Sequence, residues 1–287
     1  LRQCESTFIR FHNHLRRYDS ERICRCGACE TAVDLSLKFI VHSGAVETID
    51  IKGHQKLHGV DVILAHRLLK NNVPDQEYVL FTDSFPPPDS PWPVTGQSWV
   101  KFESGSDDYE SLGTVSYQFA SLKELHDKVV EPDAISIPGL GPNKLTFSTR
   151  ILAPADIIFE NFTNFDKRVQ WNEEIREIVL KNEKINKAGA IHTCLVGSNA
   201  LDIESLGRLE NENRIIYGER LDKFKGLQDI LTIYTFEHNG NETQVTVELD
   251  FKTTTFFNRV FKPLINKMIS RQTLRGLQKL KIISEGQ

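Results

Sequence analysis

The most regular hydrophobic pattern in the chain lies near its C-terminal end, over residues 256–283. Apolar residues recur there at steps of three and four, whereas lysine and arginine fill the opposite face. This pattern predicts one long amphipathic helix with Pro263 in its first turn, so that the helix proper starts near Lys262. Because its apolar stripe needs a partner, the alternating runs before it predict a curved sheet that grips this helix.

The second half of the chain reads as strand, helices, about six strands and the long helix. The opening strand covers residues 145–152, and Pro154 starts the helix that follows. Asn239-Gly240 predicts a hairpin turn between the last two strands. The six strand-like runs cover residues 175–180, 191–196, 201–209, 214–221, 227–236 and 243–253.

The first half mixes helical and strand-like segments. Helices are predicted over residues 3–17, 60–69 and 121–129. Strands are predicted over 35–41, 45–51, 77–82 and 115–119, the first two as neighbours. Residues 84–93 are rich in proline, and a second break at 136–143 predicts a linker between domains at 1–135 and 144–287. The predicted fold class is therefore α+β with two domains.

Composition narrows the class of protein. The 287 residues are 39% hydrophobic and 26% charged, which is typical of a globular protein, and no apolar run approaches the roughly 18 residues of a membrane span. The net charge of -4 argues against a nucleic-acid partner. The chain starts at Leu1 and its only methionine is Met268, so we expect that residues have been removed upstream. Five cysteines, three within one loop, favour a reducing compartment and a cytoplasmic location.

The order of elements after residue 144, with Pro154, Trp171 and the closing helix, resembles the START-like (SRPBCC, polyketide-cyclase-like) superfamily. The resemblance implies a helix-grip fold, an antiparallel sheet around the last helix with an apolar cavity between them. It also implies a hydrophobic small molecule or lipid as ligand, since most members bind such molecules and a minority are enzymes. Seven bulky residues are expected to face this space, each with plain core packing as the alternative: Phe159, Phe162, Trp171, Tyr234, Phe236, Phe251 and Met268.

Residues 37–71 resemble the later part of a class III nucleotidyl cyclase homology domain. Gly44 and Gly59 match the family pattern, together with Val62, Ala65, Arg67 and Leu68 in the helix. Ile63 stands where the family has an asparagine that orients the nucleotide, and Lys56 stands near its purine-selecting aspartate. The resemblance therefore implies a degenerate cyclase-like domain, with the family's metal-binding aspartates upstream and dimerisation through this domain.

Arg67 is the residue that matters most for a nucleotide. It is the candidate for a phosphate contact, and the alternative is a surface arginine held by a carboxylate such as Asp61. We expect a non-catalytic or regulatory protein that binds a hydrophobic molecule in its second domain, because no acid–base pair stands out there. The alternative is a nucleotidyl cyclase-type signalling enzyme whose metal-binding half lies upstream.

A cysteine-rich loop is the candidate metal site. Cys24, Cys26 and Cys29 follow C-x-C-x-x-C spacing, which places three thiolates close enough to share a structural zinc ion. A fourth ligand is expected from the preceding helix, with Cys4 as first choice and His12 or His14 as substitutes. The alternative is a loop of buried, reduced cysteines.

Overall fold

The structure is a computed structural model that describes residues 1–85, 97–181, 185–253 and 260–286. The chain folds as two compact units. The first unit consists of Leu1–Arg17 and Asp34–Pro132, and the second consists of Tyr18–Val33 and Asp133–Gln287. The segment Tyr18–Val33, which carries the cysteine-rich loop, therefore belongs to the second unit, and the first helix, α1 (Arg2–Glu21), supplies residues to both.

The second unit is built on a seven-stranded antiparallel sheet with the order β7-β13-β12-β11-β10-β9-β8. All seven strands lie where the alternating pattern predicts them, and most extend one to three residues further. Asn239 pairs with Glu242, so Gly240 with its positive φ of 66° begins the predicted hairpin turn. The strands are β7 (Leu145–Ile151), β8 (Ile175–Leu180), β9 (Ile191–Val196), β10 (Asn199–Asn211), β11 (Arg214–Phe224), β12 (Leu227–Asn239) and β13 (Glu242–Thr253).

The C-terminal helix runs over Lys262–Glu285 with Pro263 in its first turn, which confirms the predicted start; residues 256–259 of the predicted helix lie outside the described residues. Its two ends pack into separate hydrophobic clusters. Leu277 and Leu280 join the main core, whereas Ile265 and Ile269 pack against a smaller cluster at the other end of the sheet. The helix-grip arrangement predicted from the sequence is therefore present.

Two short helices connect β7 to β8. The helix α4 (Ala155–Thr163) follows Pro154 as predicted. The sequence predicted helices here but gave no position for the next one, α5 (Phe165–Trp171), because seven residues are too few for a periodic pattern. The Asn164 side chain caps α5 by accepting hydrogen bonds from the backbone N–H groups of Asp166 and Lys167, at 3.0 and 3.3 Å.

The first unit contains a four-stranded sheet with the order β1-β4-β6-β5. Its strand β4 (Tyr78–Thr82) is buried along its whole length and contributes side chains to two hydrophobic clusters, one on each face of the strand. Val79 and Phe81 pack with Phe8 of α1, whereas Leu80 packs with Leu68. The remaining elements of this unit are β1 (Phe39–Val41), β5 (Glu103–Tyr109), β6 (Gly113–Ser121), α3 (Val60–Arg67) and a 3-10 helix (Lys123–Lys128).

Two predictions for the first unit were wrong or incomplete. The strand β2 (Glu47–Ile51) pairs with β3 (His54–His58) and not with β1, which lies parallel to β4. Lys52 and Gly53 both have positive φ, 55° and 80°, and this two-residue turn reverses the chain at once. The strand β5 was missed because its sequence ESGSDDY holds one large apolar residue.

The proline-rich segment predicted at residues 84–93 falls largely outside the described residues. Of the helices in the described part of the chain, none is long and apolar enough to cross a membrane.

Candidate functional site

A cavity of about 200 Å³ lies in the second unit, beside the middle of the C-terminal helix. It falls between the two hydrophobic clusters that hold the ends of this helix. Its apolar wall comes from α4, α5, β13 and the helix itself. The residues of that wall are Phe162, Trp171, Val247, Leu249, Gly276 and Leu277.

The apolar wall is fixed by its own packing. Phe162 stacks on Trp171 with 5.4 Å between ring centroids, and it meets Tyr234 at 4.4 Å. The indole N–H of Trp171 donates to the backbone carbonyl of Asn161 at 2.8 Å. The indole is therefore held at both its face and its nitrogen.

A buried ion pair forms the polar side of the cavity. Arg168 of α5 lines the cavity and donates two hydrogen bonds to the Glu219 carboxylate of β11, one of them at 2.9 Å between Nη2 and Oε2. Both side chains are 5% exposed. The hydroxyl groups of Tyr217 and Tyr234 also donate to Glu219, at 2.9 and 3.3 Å. Glu219 is therefore surrounded by donors, as a buried carboxylate requires.

These contacts fix the charges of the pair. Burial alone would raise the pKa of Glu219, but the charge and hydrogen bonds of Arg168 outweigh burial and hold that pKa below its usual value. The pKa of Tyr234 is raised by burial and by the nearby Glu219 charge. Arg168 and Glu219 are therefore both charged at neutral pH, while Tyr234 is a neutral donor.

One nitrogen of the Arg168 guanidinium takes no part in the ion pair with Glu219. The Nε of Arg168 is buried and has no hydrogen-bond partner among the described residues. The same holds for both ring nitrogens of His192, which lies 3.8 Å from Glu219 and packs against Phe165. Burial lowers the pKa of His192 to about 4, so the imidazole is neutral at pH 7. Arg168 lines the cavity, but its Nε is closed off from solvent, so a ligand oxygen would reach this donor only after neighbouring side chains move.

Polar contacts cross the mouth of the cavity. Lys279 of the C-terminal helix pairs with Glu173, and Gln272 donates to Glu174 at 2.8 Å. Both acidic residues lie in the loop after α5, and all four side chains line the cavity. The mouth is thus polar and the interior apolar, with Arg168 on one side.

The structure divides the seven residues predicted to face the ligand space. Phe162, Trp171 and Tyr234 line the cavity. Phe159 and Phe236 are fully buried in the adjoining core, and Phe251 packs in the smaller cluster. Met268 is 49% exposed and does not line the cavity. It precedes Ile269, which packs on the sheet, and one residue turns a helix by about 100°, so Met268 faces away.

Sequence reasoning missed the polar half of this site. A signal was present in β11, where the inward positions alternate as Ile215, Tyr217, Glu219 and Leu221, so that an acid interrupts an apolar face. A carboxylate at such a position requires a buried partner. Arg168 lies only three residues before Trp171, but the position of its helix was not predicted.

The cysteine-rich loop forms a second candidate site in the second unit. The sulfur atoms of Cys24, Cys26 and Cys29 lie within 4.8 Å of one another. Cys26 precedes a short helix, α2 (Gly27–Thr31), and is exposed, whereas Cys29 is buried. The backbone N–H of Cys29 lowers the pKa of Cys26, and burial raises the pKa of Cys24 to about 12. Three converging thiols with one favoured as thiolate suit a metal, and the zinc assignment stays a prediction.

The other predicted ligands are engaged elsewhere. Cys4 packs against the Phe8 cluster of the first unit, and burial raises the pKa of its thiol. His12 contacts Glu77 within the same unit. Cys4 and His12 therefore both contact other residues of the first unit.

Arg67, the candidate phosphate contact, is exposed on α3. It lines an open groove on the first unit with His58, His66 and Lys70. Among the described residues, Asp61 accepts a hydrogen bond from the backbone N–H of Ala45 and lies 3.1 Å from His42, and its predicted pairing with Arg67 is not formed.

The start of the chain matches one protein family and one curated relative, both described as of unknown function or uncharacterised. Residues 1–78 match the family described as "Protein of unknown function (DUF2652)". The chain is 43% identical over 74 residues to the uncharacterized protein Rv2561/Rv2562 of Mycobacterium tuberculosis. That match takes in 26% of this chain and 35% of the relative, so the chain spans about a third of the curated relative's length. These descriptions give no support to the resemblance to a nucleotidyl cyclase.

Solved structures similar to this chain cover about half of it. Hypothetical protein jhp0584 from Helicobacter pylori aligns with a TM-score of 0.44 at 11% identity over 54% of this chain and 99% of that one. A START superfamily protein from Mycobacterium smegmatis aligns with a TM-score of 0.40 at 15% identity, over 50% of this chain and 97% of that one. Zhui aromatase/cyclase from a Streptomyces species aligns with a TM-score of 0.41 at 13% identity, over 50% of this chain and 93% of that one.

Proposed function

We propose that the second unit binds a small, largely apolar molecule that carries one acceptor oxygen, and that the protein acts by binding and not by catalysis. The observation that carries this proposal is the cavity itself, which has an apolar wall and one buried arginine. Ligand sites commonly combine these two features, an apolar lining and a few polar groups that fix orientation.

The volume of the cavity limits the size of the ligand. A cavity of 150 Å³ suffices for benzene, so about 200 Å³ suits a ring of similar size with one or two substituents. Such a molecule buries on the order of 200 Å² and gains about 5 kcal/mol at about 25 cal/mol per Å². That gain alone corresponds to a dissociation constant of about 0.2 mM, so after the cost of immobilisation we expect a dissociation constant of about 1 mM or weaker.

The chemistry of the polar side selects the ligand's oxygen. The Nε of Arg168 is a donor without a partner among the described residues, while the other nitrogens of this guanidinium are held by Glu219. Side chains around the buried Nε would have to move to admit a ligand carbonyl or hydroxyl oxygen, which would then relieve the cost of an unpaired donor. A hydrocarbon of the same shape would leave that cost in place.

The same groups argue against catalysis. The pKa of Arg168 and that of Tyr234 are both raised, so neither exchanges a proton near neutral pH. Glu219 is ionised and already accepts four hydrogen bonds. General acid–base catalysis needs a group whose pKa lies near the working pH, and this side of the cavity offers none.

A cavity-filling substitution tests the proposal. Gly276 of the C-terminal helix lies over the cavity, and a Cβ added there would meet the Trp171 ring at 3.6 Å, an ordinary contact. Gly276→Leu should fill the cavity without straining the helix, since leucine favours helices more than glycine does. Binding of naphthalene and of its hydroxyl derivative, 2-naphthol, would be measured by quenching of tryptophan fluorescence.

We expect 2-naphthol to bind the wild-type protein more tightly than naphthalene and to bind Gly276→Leu at least about tenfold more weakly. Leu274→Ala is the matched control, because Leu274 lies on the same helix and is 50% exposed. Equal binding of 2-naphthol by wild type and Gly276→Leu would refute the cavity as the binding site. Equal affinity for the two ligands would refute the role of Arg168.

A further inference from the structure

Three polar side chains converge in the first unit at a place that the proposed ligand site does not use. Glu77 immediately precedes β4, His12 lies on α1, and His126 lies on the 3-10 helix Lys123–Lys128. The Nε2 atom of each histidine lies 2.7 Å from a different oxygen of the Glu77 carboxylate. All three ligand atoms lie within 4.8 Å of one another.

The surroundings hold these side chains in place. Phe8 packs against both imidazoles, at 4.4 Å from the His12 ring and 5.1 Å from the His126 ring. The backbone N–H of Leu37 donates at 3.2 Å to the Glu77 oxygen that also contacts His12, and so helps to fix the carboxylate. His12 and Glu77 are each 12% exposed, whereas His126 is 40% exposed. The cluster is thus ordered by packing yet open to solvent at His126.

We propose that His12, Glu77 and His126 bind a divalent transition-metal ion of the Zn²⁺ class. Two imidazole nitrogens and one carboxylate are a donor set that suits zinc and leaves a fourth position for water or another ligand. Around a tetrahedral zinc with bonds of about 2.1 Å, ligand atoms lie roughly 3.4 Å apart. The two contacts of 2.7 Å would therefore widen by only a fraction of an ångström per side chain.

A metal ion would bind the neutral form of both imidazoles, in competition with protons. The competing interpretation is a plain hydrogen-bonded bridge, in which the carboxylate joins two histidines without an ion.

The experiment is a titration of the full chain with Zn²⁺ and with Co²⁺ as a spectroscopic probe. It uses the variant Cys24→Ser/Cys26→Ser/Cys29→Ser, so that the thiols cannot compete. We expect about one equivalent to bind, with Co²⁺ absorbing in the visible range and without sulfur-to-cobalt charge transfer. Should this variant not fold, the wild-type chain serves, and the site appears as the equivalent that lacks that charge transfer.

Two substitutions separate a metal site from a hydrogen-bonded bridge. Glu77→Gln retains groups that can hydrogen-bond to both imidazoles but removes the anionic ligand, and His126→Ala removes a half-exposed ligand. We expect each to weaken binding at least about tenfold, whereas the control His14→Ala, an exposed histidine on the same helix, should leave it unchanged. Absence of binding in the folded protein, or binding that Glu77→Gln and His126→Ala leave unchanged, would overturn the proposal.

Discussion

The buried pair of Arg168 and Glu219 gives the sharpest test of how the second unit is held together. Glu219→Ala would leave the Arg168 guanidinium buried at 5% exposure without its carboxylate. Breaking a buried pair in this way typically costs about 3–5 kcal/mol, because one charge is left without a partner in a medium of low polarity. Arg168→Met should cost a similar amount, since Glu219 then keeps only its tyrosine donors.

Replacing both partners gives a different expectation. Arg168→Met/Glu219→Leu removes both charges and refills the space with apolar groups, a change that is often neutral or stabilising. The double variant should therefore unfold near the wild-type denaturant concentration, and the coupling energy of the cycle that it closes with the single variants Arg168→Met and Glu219→Leu should exceed about 3 kcal/mol. Its cavity would also lose the Arg168 donor, so the preference for 2-naphthol over naphthalene should disappear.

Urea denaturation followed by Trp171 fluorescence measures these energies. Replacing Trp92 and Trp99 by Phe leaves Trp171 as the reporter of the second unit. Glu160→Ala is the matched control, because Glu160 pairs with Lys167 at 2.7 Å but both side chains are partly exposed, and such pairs are worth about 0–1 kcal/mol. If Glu219→Ala costs no more than Glu160→Ala, the reasoning about the buried pair fails.

Two further predictions concern titration and metal. His192 is fully buried and its pKa is lowered from 6.5 to about 4, so the unfolded chain takes up a proton first as pH falls. The contribution of His192 to the free energy of unfolding should therefore be full above about pH 6.5 and fall by about 3 kcal/mol between pH 6.5 and 4. In urea unfolding curves measured at several pH values, His192→Gln should abolish this dependence, while His238→Gln, at an exposed histidine, should retain it. For the cysteine-rich loop we expect about one zinc per chain by elemental analysis, lost in Cys26→Ser and retained in Cys194→Ala, whose thiol is buried away from the loop. Metal-free wild-type protein of unchanged stability would contradict that assignment.

The sequence predicted the second unit well because its elements are long and periodic. The strands β8 and β9 have the predicted bounds, and Pro263 marked the start of the C-terminal helix. In the first unit the signals are shorter, and a two-residue turn pairs β2 with the strand after it and not with the strand before it. Lys52 and Gly53, with their positive φ angles, form the turn that pairs β2 with β3, and hydrophobic alternation does not predict this pairing.

The candidate sites were less predictable, because their residues meet only in three dimensions. Arg168 and Glu219 are 51 residues apart, and His12 and Glu77 are 65 apart. The bulky wall residues Phe162 and Trp171 were predictable from size alone, since large apolar side chains must face a core or a cavity.

The polar residues obey a different rule, which explains why they were missed. A buried charge is tolerated only with its partner in place, so each half of the pair is uninformative until the fold brings the other half to it. Glu219 on the apolar face of β11 therefore marks the candidate site more specifically than any aromatic residue there. An acid at an inward position of a strand requires buried hydrogen-bond donors, and for Glu219 one of those donors, Arg168, also lines the cavity.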